Sequence, residues 1–165
     1  MISNELKHVL ISTQVDCYQR AVRLDQYLAV AYFQQGVSNF LMGDFEEALA
    51  NFNDTLLYLR GNNNIDYDQL GLKFKLYSCE VLFNRGLCYI YLQQKDAGMQ
   101  DLSFAAKEKV VPDHDVIDEA INEAAEVRLM LMQNPDSNTD VSRATPSSPS
   151  QLVSSTAPTK PRSRT

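Results

Sequence analysis

The stretch AVAYFQQGVSNFLMGDFEEALANFNDTLLYL, residues 29–59, decides how this chain folds. Apolar residues recur in it at intervals of three and four, which is the spacing of one face of an α-helix. They are Val30, Phe33, Val37, Phe40 and Leu41, then Phe45, Ala48, Leu49, Phe52, Leu56 and Leu59. Between the two sets lies Gly43-Asp44, a tight turn, so the stretch predicts two antiparallel helices.

The same stretch matches the tetratricopeptide repeat, a helix–turn–helix unit of about 34 residues. With Ala29 as position one, residues of the required size occupy the diagnostic positions of the repeat. These are Tyr32 at position four, Gly36 at eight, Gly43 at fifteen, Phe45 at seventeen, Ala48 at twenty and Phe52 at twenty-four. Small Gly36 and Ala48 let the helices approach, and the two phenylalanines fill the space between them.

A second copy of the repeat begins at Cys79. It matches the pattern at small and apolar positions, namely Leu82, Gly86, Tyr89, Gly98, Leu102 and Ala105. Gly98 replaces the usual alanine and weakens its helix by about 1 kcal/mol. Tyr18 and Ala21 fit the late part of an earlier repeat, and a helical period from Val116 to Leu131 predicts a cap helix.

The two clear repeats are separated by about 16 extra residues, because Gly36 and Gly86 lie 50 residues apart instead of one period. Within this insertion, residues 60–78, alternation of apolar and other residues predicts a strand. The alternating residues are Leu72, Lys73, Phe74, Lys75, Leu76 and Tyr77. Residues 65–67 are expected to pair with this strand, with a turn at 68–71. The hairpin either only packs on the repeats or forms a binding face, and spacing alone leaves both interpretations open.

These patterns predict an all-α fold: a tetratricopeptide helical-hairpin solenoid with a short β-hairpin insertion and a C-terminal cap helix. We assign the tetratricopeptide domain to residues 15–133, with its insertion at 60–78, and leave residues 1–14 unassigned. Residues 134–165 are rich in Ser, Thr and Pro and lack an apolar period, so they are predicted to be a disordered tail.

Composition argues against several other classes of function. The net charge of −6, from 15 basic and 21 acidic residues, disfavours binding to nucleic-acid backbones. The sequence shows neither a membrane span nor a secretory signal, which predicts a cytoplasmic protein without membrane insertion. Without a nucleophile motif or a phosphate-binding loop, we predict no enzyme activity and no cofactor.

The cysteines and histidines predict no metal site. Cys17, Cys79 and Cys88 are widely spaced, and the expected interpretation is free thiols buried on helices. His114 and Asp118 lie one helical turn apart and can in principle chelate a metal ion. The surrounding acidic residues fit the start of a helix better, because carboxylates are favourable in a first turn.

Three strings carry a family resemblance. They are LAVAYFQQG at 28–36, LRGNNNIDY at 59–67 and LGLKFKLYSCEVLFN at 70–84. They resemble the cytosolic activators of NADPH oxidase, the family of the neutrophil cytosol factor and the fungal oxidase regulator. The family carries the hairpin on four tetratricopeptide repeats, and the hairpin with adjacent loops binds the GTP-bound form of the small GTPase Rac. The oxidase in the membrane then passes electrons from NADPH to oxygen and generates superoxide.

The resemblance implies a partner-binding surface. Arg60, Asn62 and Asp66 match hairpin residues of the family's GTPase-binding surface, and Asp25 matches an acidic residue of a neighbouring loop. Arg60 offers a fork of donors, and Asn62 offers both a donor and an acceptor. Structural roles stay open for the acids, because Asp25 can cap a helix and Asp66 can hold a turn.

The chain departs from the family in several places. Asn64 stands where the family usually has leucine, and Tyr27 stands where the animal proteins have histidine. Neither the family's first repeat nor its activation segment finds a match, which is expected of a truncated form. The alternative function is a general tetratricopeptide scaffold that binds a peptide in its concave groove, where Arg85 and Lys95 are the available basic residues.

Overall fold

The computed structural model describes residues 3–71 and 74–133, with side chains described as far as residue 126. Its helices are α1 (Asn4–Leu24), α2 (Ala29–Met42), α3 (Phe45–Leu59), α4 (Ser78–Tyr91), α5 (Lys95–Lys107) and α6 (Val116–Gln133). Strands β1 (Asn64–Asp66) and β2 (Lys75–Tyr77) pair antiparallel between α3 and α4. The predicted all-α, tetratricopeptide-like fold with a short hairpin is therefore confirmed. The predicted tail and the strand positions Leu72 and Lys73 lie outside the described residues.

The helices stack in chain order, so that each helix packs against the one before it and the one after it. In the first pair, α2 and α3, the turn depends on Gly43, whose φ of 83° is favourable only for glycine. Gly36 is needed for a different reason, because a Cβ there would lie 2.7 Å from the ring of Phe52. Phe52 is fully buried, so the close approach predicted for this pair is confirmed.

Phe45 contacts α2, as predicted, and makes a second contact that the repeat pattern does not indicate. Its ring stacks on Tyr91 of α4 with centroids 4.6 Å apart, and lies edge-on to Phe40 of α2 at 5.2 Å. Both phenylalanines therefore pack against α2, Phe52 against Phe33 and Phe45 against Phe40, and Phe45 also joins the first repeat to the second. Sequence spacing could not separate these roles, because both residues lie on the buried side of α3.

The second pair explains why Gly98 replaces alanine. A Cβ at Gly98 would lie 2.8 Å from the carbonyl oxygen of Gly86 and 2.7 Å from Cγ1 of Ile90. The Gly86 oxygen belongs to the backbone of α4 and cannot rotate away. Glycine at position 98 lowers the helix propensity of α5. In return, it permits a closer contact between α4 and α5 than alanine would.

Helix α1 extends further towards the N-terminus than the repeat pattern indicates, because residues 4–14 are helical as well. Ser3 caps the helix by accepting a hydrogen bond from the Leu6 amide at 3.3 Å. The partly buried residues of α1 recur at helical spacing, at Ile11, Val15, Tyr18, Ala21 and Val22. Cys17 lies away from this packed side and is exposed, so the prediction of a buried thiol is wrong for Cys17 and correct for Cys79 and Cys88.

The cap helix α6 packs on α5 and buries Ile117 and Ala120. A short 3-10 turn, Pro112–Asp115, leads into it. Asp118 lies in the first turn of α6, as the helix-start interpretation predicts, and its carboxylate pairs with Lys109. Leu131 and the other apolar residues predicted beyond residue 126 have side chains outside the described part.

Candidate partner-binding surface

The insertion begins with two consecutive residues in the left-handed region. Arg60 has a φ of 54° and Gly61 a φ of 78°, which turn the chain sharply away from α3. Asn62 then folds back onto the helix end. Both its backbone amide, at 3.0 Å, and its side-chain Nδ2, at 2.8 Å, donate to the carbonyl oxygen of Leu59. This arrangement satisfies a helix-terminal carbonyl that would otherwise lack a partner.

Arg60 and Asn62 therefore differ in how many of their side-chain hydrogen-bonding groups are available to a partner. Arg60 is exposed, and among the described residues no carboxylate lies within ion-pair distance of its guanidinium. Asn62 uses one of its two side-chain N–H groups as a helix cap. Its other N–H and its oxygen keep hydrogen-bonding capacity for a partner.

The hairpin places Asn64 and Asp66 on one exposed side. Asn64 is paired with Tyr77 in the register, and Asp66 with Lys75. The Asp66 carboxylate lies 3.6 Å from Lys75 Nζ, and its Oδ1 accepts from the Asp68 amide at 3.0 Å. Asp66 thus holds the turn, as the structural interpretation of this residue predicts, while half of its side chain stays accessible.

Tyr67 connects the hairpin to the start of α2. Its side chain is 5% exposed, and its hydroxyl accepts a hydrogen bond from the Val30 amide at 3.1 Å. Burial raises the pKa of Tyr67, the hydrogen bond from Val30 opposes this rise, and the charge of Asp25 adds to it. A bond between residues 37 positions apart therefore sets the hairpin beside the connector between α1 and α2.

The connector itself, residues 25–28, is held by Asp25. Its Oδ1 accepts from the Tyr27 amide at 3.0 Å, and its carbonyl oxygen accepts from the Leu28 amide at 3.2 Å. This local bonding orients Tyr27 towards α3, where its ring meets that of Tyr58 edge-on with centroids 5.8 Å apart. Tyr58 is only two residues before Arg60, so the connector and the base of the hairpin are neighbours.

We call the resulting face the connector–hairpin surface and define it by the six candidate residues: Asp25, Tyr27, Arg60, Asn62, Asn64 and Asp66. All six are exposed. The sequence missed the residues that bring them together. Tyr58 and Tyr67 were not singled out, because Tyr58 belongs to a helix and Tyr67 was placed at the end of a strand. The available signal was a tyrosine beside a turn. When such a side chain is buried, its hydroxyl requires a hydrogen-bond partner, which indicates a contact with another part of the chain.

Replacing Tyr67 with phenylalanine is expected to destabilise the chain by about 1–2 kcal/mol, because the Val30 amide loses its acceptor. Amide hydrogen exchange followed by NMR should show Val30 exchanging faster, with the effect local to the start of α2. Tyr91→Phe is the matched control, since this half-buried ring makes no hydrogen bond through its hydroxyl to the described residues. Equal protection of Val30 in wild type and Tyr67→Phe would contradict the role given to this bond.

Three further properties of the described residues concern metal sites, thiols and membrane spans. Among the residues whose side chains are described, no cluster of three or more His, Cys, Asp or Glu suits a metal ion. Burial raises the pKa of Cys79 and that of Cys88 to about 12, so both thiols stay protonated near neutral pH. Within residues 3–71 and 74–133, every helix is too short or too polar to span a bilayer.

The fold and this surface define a helical-repeat binding module of the tetratricopeptide class with an inter-repeat hairpin. No family model matches the chain. The chain is similar to human neutrophil cytosol factor 2, with 38% identity over 104 residues that make up 63% of this chain and 20% of the human protein. It is also similar to the NADPH oxidase activator of Dictyostelium discoideum, with 38% identity over 73 residues, or 44% of this chain and 12% of that protein.

A third relative is NADPH oxidase activator 1 of Rattus norvegicus, 48% identical over 67 residues, which are 41% of this chain and 15% of the rat protein. These matches confirm the resemblance to the neutrophil cytosol factor and the NADPH oxidase activators. In each case the chain spans a fifth or less of the length of the relative that it matches.

Proposed function

We propose that this chain is a regulatory binding module of a superoxide-generating NADPH oxidase, and that it binds a Rac-type small GTPase in its GTP form. The connector–hairpin surface makes the contact. In this role the chain acts in the cytoplasm as a regulator that catalyses no step itself, and the membrane oxidase is an indirect partner. Two of the relatives are named NADPH oxidase activators, which supports the oxidase part of the proposal.

The observation that carries the proposal is the hydrogen bond between Tyr67 and Val30. Asp25 and Arg60 belong to two loops 35 residues apart in the sequence, and this bond holds the two loops next to each other. With it, and with the contact between Tyr27 and Tyr58, acidic, aromatic and basic groups lie along one face. A folded partner recognises such a composite face more selectively than a single loop.

The chemistry of each residue suits this use. The guanidinium of Arg60, which has no ion-pair partner among the described residues, can form a bidentate contact with a carboxylate. Asn62 adds a donor and an acceptor beside it. Asp66 contributes a carboxylate whose charge is partly neutralised by Lys75, so we expect a smaller contribution from it.

One observation weighs against the alternative of a peptide in the concave groove. Arg85 was the main basic residue available there, and its guanidinium is already occupied. Nε and Nη2 donate to the two carboxylate oxygens of Asp101 at 2.6 and 2.8 Å, and Nη1 donates to Asn53 at 3.0 Å. A peptide carboxylate would have to displace a half-buried bidentate pair, which is unfavourable.

Titration calorimetry with the purified chain and a Rac-type GTPase tests the proposal. We expect binding to the protein loaded with a non-hydrolysable GTP analogue and none to the GDP form, because the partner presents its nucleotide-sensitive loops only in the first state. Binding that ignores the nucleotide, or no binding to either form, would overturn the proposed function for this chain.

A further inference from the structure

Three tyrosine rings form a cluster at the edge of the connector–hairpin surface. Tyr58 stacks on Tyr32 with centroids 5.0 Å apart and meets Tyr27 edge-on at 5.8 Å. Tyr32 is held in turn, because its hydroxyl donates to the carbonyl oxygen of Gln26 at 3.1 Å. Tyr27 is the open member of the cluster, with 59% of its surface exposed.

Two carboxylates flank these rings. Asp25 bonds to the amide of Tyr27, and Asp54 lies one helical turn before Tyr58 on the same side of α3. The pKa of Tyr32 is raised to about 12, first by burial and then by contact with Tyr58. The charges of Asp54 and Asp25 raise it further.

Tyr27 is not an isolated surface residue, because its exposed ring belongs to a contiguous group of three tyrosines. Here Tyr27 is kept at the surface by neighbours on both sides: its backbone is fixed by Asp25 and its ring by Tyr58. Because the position of the ring is already fixed, little conformational entropy remains to be lost when a partner group packs on it.

The combination of an exposed π-face and two carboxylates is complementary to a cation. An arginine or lysine side chain is attracted to the face of a tyrosine ring and, at the same time, to nearby carboxylates. An apolar partner group would gain from the rings but would desolvate both carboxylates without supplying a counter-charge, which is costly. Charge complementarity therefore selects a basic side chain as the occupant.

We infer that Tyr27, Tyr58 and Tyr32, with Asp25 and Asp54, form a pad that receives a basic side chain of the protein partner. This inference rests on the proposed function and adds the kind of group that the partner presents. The connector–hairpin surface then offers charges of both signs: the pad accepts a cation, and Arg60, close to Tyr58 in the chain, offers a cation to the partner. Such a pattern fixes the orientation of a bound partner.

Two matched pairs of variants test the pad by calorimetry with the Rac-type GTPase loaded with the GTP analogue. Tyr27→Leu should weaken binding about three- to tenfold, whereas Tyr27→Phe, which keeps the π-face, should stay within about twofold of wild type. Asp54→Asn should weaken binding about two- to fivefold, and the effect should shrink between about 50 and about 300 mM salt. Glu123→Gln, the same charge change at an exposed position on α6, should have no effect.

The outcomes separate the two proposals. If wild type binds and the leucine and phenylalanine variants are equal, while Asp54→Asn equals Glu123→Gln, the pad is overturned and the proposed function stands. If wild type shows no GTP-dependent binding, both are overturned. Thermal melting of each variant, within a few degrees of wild type, guards against misfolding as the cause of a loss.

Discussion

Replacing Arg60 with glutamate is expected to abolish binding of the GTP-loaded Rac-type GTPase, with a loss of more than about 100-fold in affinity. The substitution removes the unpaired guanidinium and puts a carboxylate opposite the group that it would contact, so that attraction becomes repulsion. The free energy of unfolding should change little, because position 60 is exposed. Arginine and glutamate also bear the same cost there, roughly 1 kcal/mol, for a left-handed backbone.

Two controls define the origin of this effect in the same calorimetric titration. Lys7→Glu carries an equal change in charge at the opposite, N-terminal end of α1 and should bind as wild type does. Arg60→Lys keeps the charge but loses the bidentate fork. Its affinity should therefore lie between that of wild type and that of Arg60→Glu. If Lys7→Glu weakens binding as much as Arg60→Glu, the contact depends on net charge alone, and the role assigned to Arg60 is wrong.

The second large effect concerns stability and arises in the core, where a buried carboxylate meets a buried histidine. Glu80 of α4 is 4% exposed and His114 is fully buried. Nε2 of His114 lies 3.3 Å from Oε1 of Glu80, and Nδ1 lies 3.2 Å from the Cys79 thiol. Oε2 of Glu80 has no hydrogen-bond partner among the described residues, an arrangement that penalises its ionised form.

The hydrogen bonds define the protonation state of the pair. The Val110 amide donates to Nδ1 of His114, so Nδ1 is the acceptor and the proton of the neutral ring is on Nε2. Nε2–H then donates to Glu80. Burial raises the pKa of Glu80 from 4.5 to about 7, with a smaller contribution from Asp113, and burial lowers the pKa of His114. Lys109 acts on His114 in the same direction, while Asp113 and Asp115 oppose it.

The sign of the stability change follows from these shifts. Because the folded state holds the Glu80 proton more tightly, its contribution is complete below pH 4.5 and is lost as the pH rises through about 7. His114 acts oppositely: its contribution is complete above its ordinary pKa of 6.5 and is lost in more acidic solution. In the wild type the pH dependence from Glu80 and that from His114 oppose each other just below pH 6.5.

Glu80→Gln removes the pH dependence of stability that Glu80 contributes and leaves that of His114. The variant should match wild type near pH 4.5, and its advantage should grow with pH and level off above about 7. At pH near 8 the gain is on the order of 3 kcal/mol in the free energy of unfolding, or roughly 10 °C in melting temperature. Urea unfolding across this pH range measures it, with Glu123→Gln as the exposed control. Parallel stability curves for Glu80→Gln and wild type would show that Glu80 is not buried as a neutral acid.

Much of the fold was predictable from local pattern. The helical period of residues 29–59 predicts α2 and α3, and small Gly36 predicts where they approach, because periodicity and side-chain size directly record which face is buried. The spacing between Gly36 and Gly86 revealed the insertion without any knowledge of its structure. The same reasoning did not show that Phe45 also contacts Tyr91 of the second repeat, since a period indicates a buried side and not every neighbour that covers it.

The sequence by itself therefore determined the repeat architecture, the position of the hairpin and, through resemblance, the residues of the candidate surface. Only the tertiary structure decided that Tyr67 bonds to Val30, that Tyr27 rests against Tyr58, and that Glu80 and His114 share a buried site. Each of these contacts joins residues more than 30 positions apart. Such contacts depend on how successive helices stack, and no local period or spacing records that geometry.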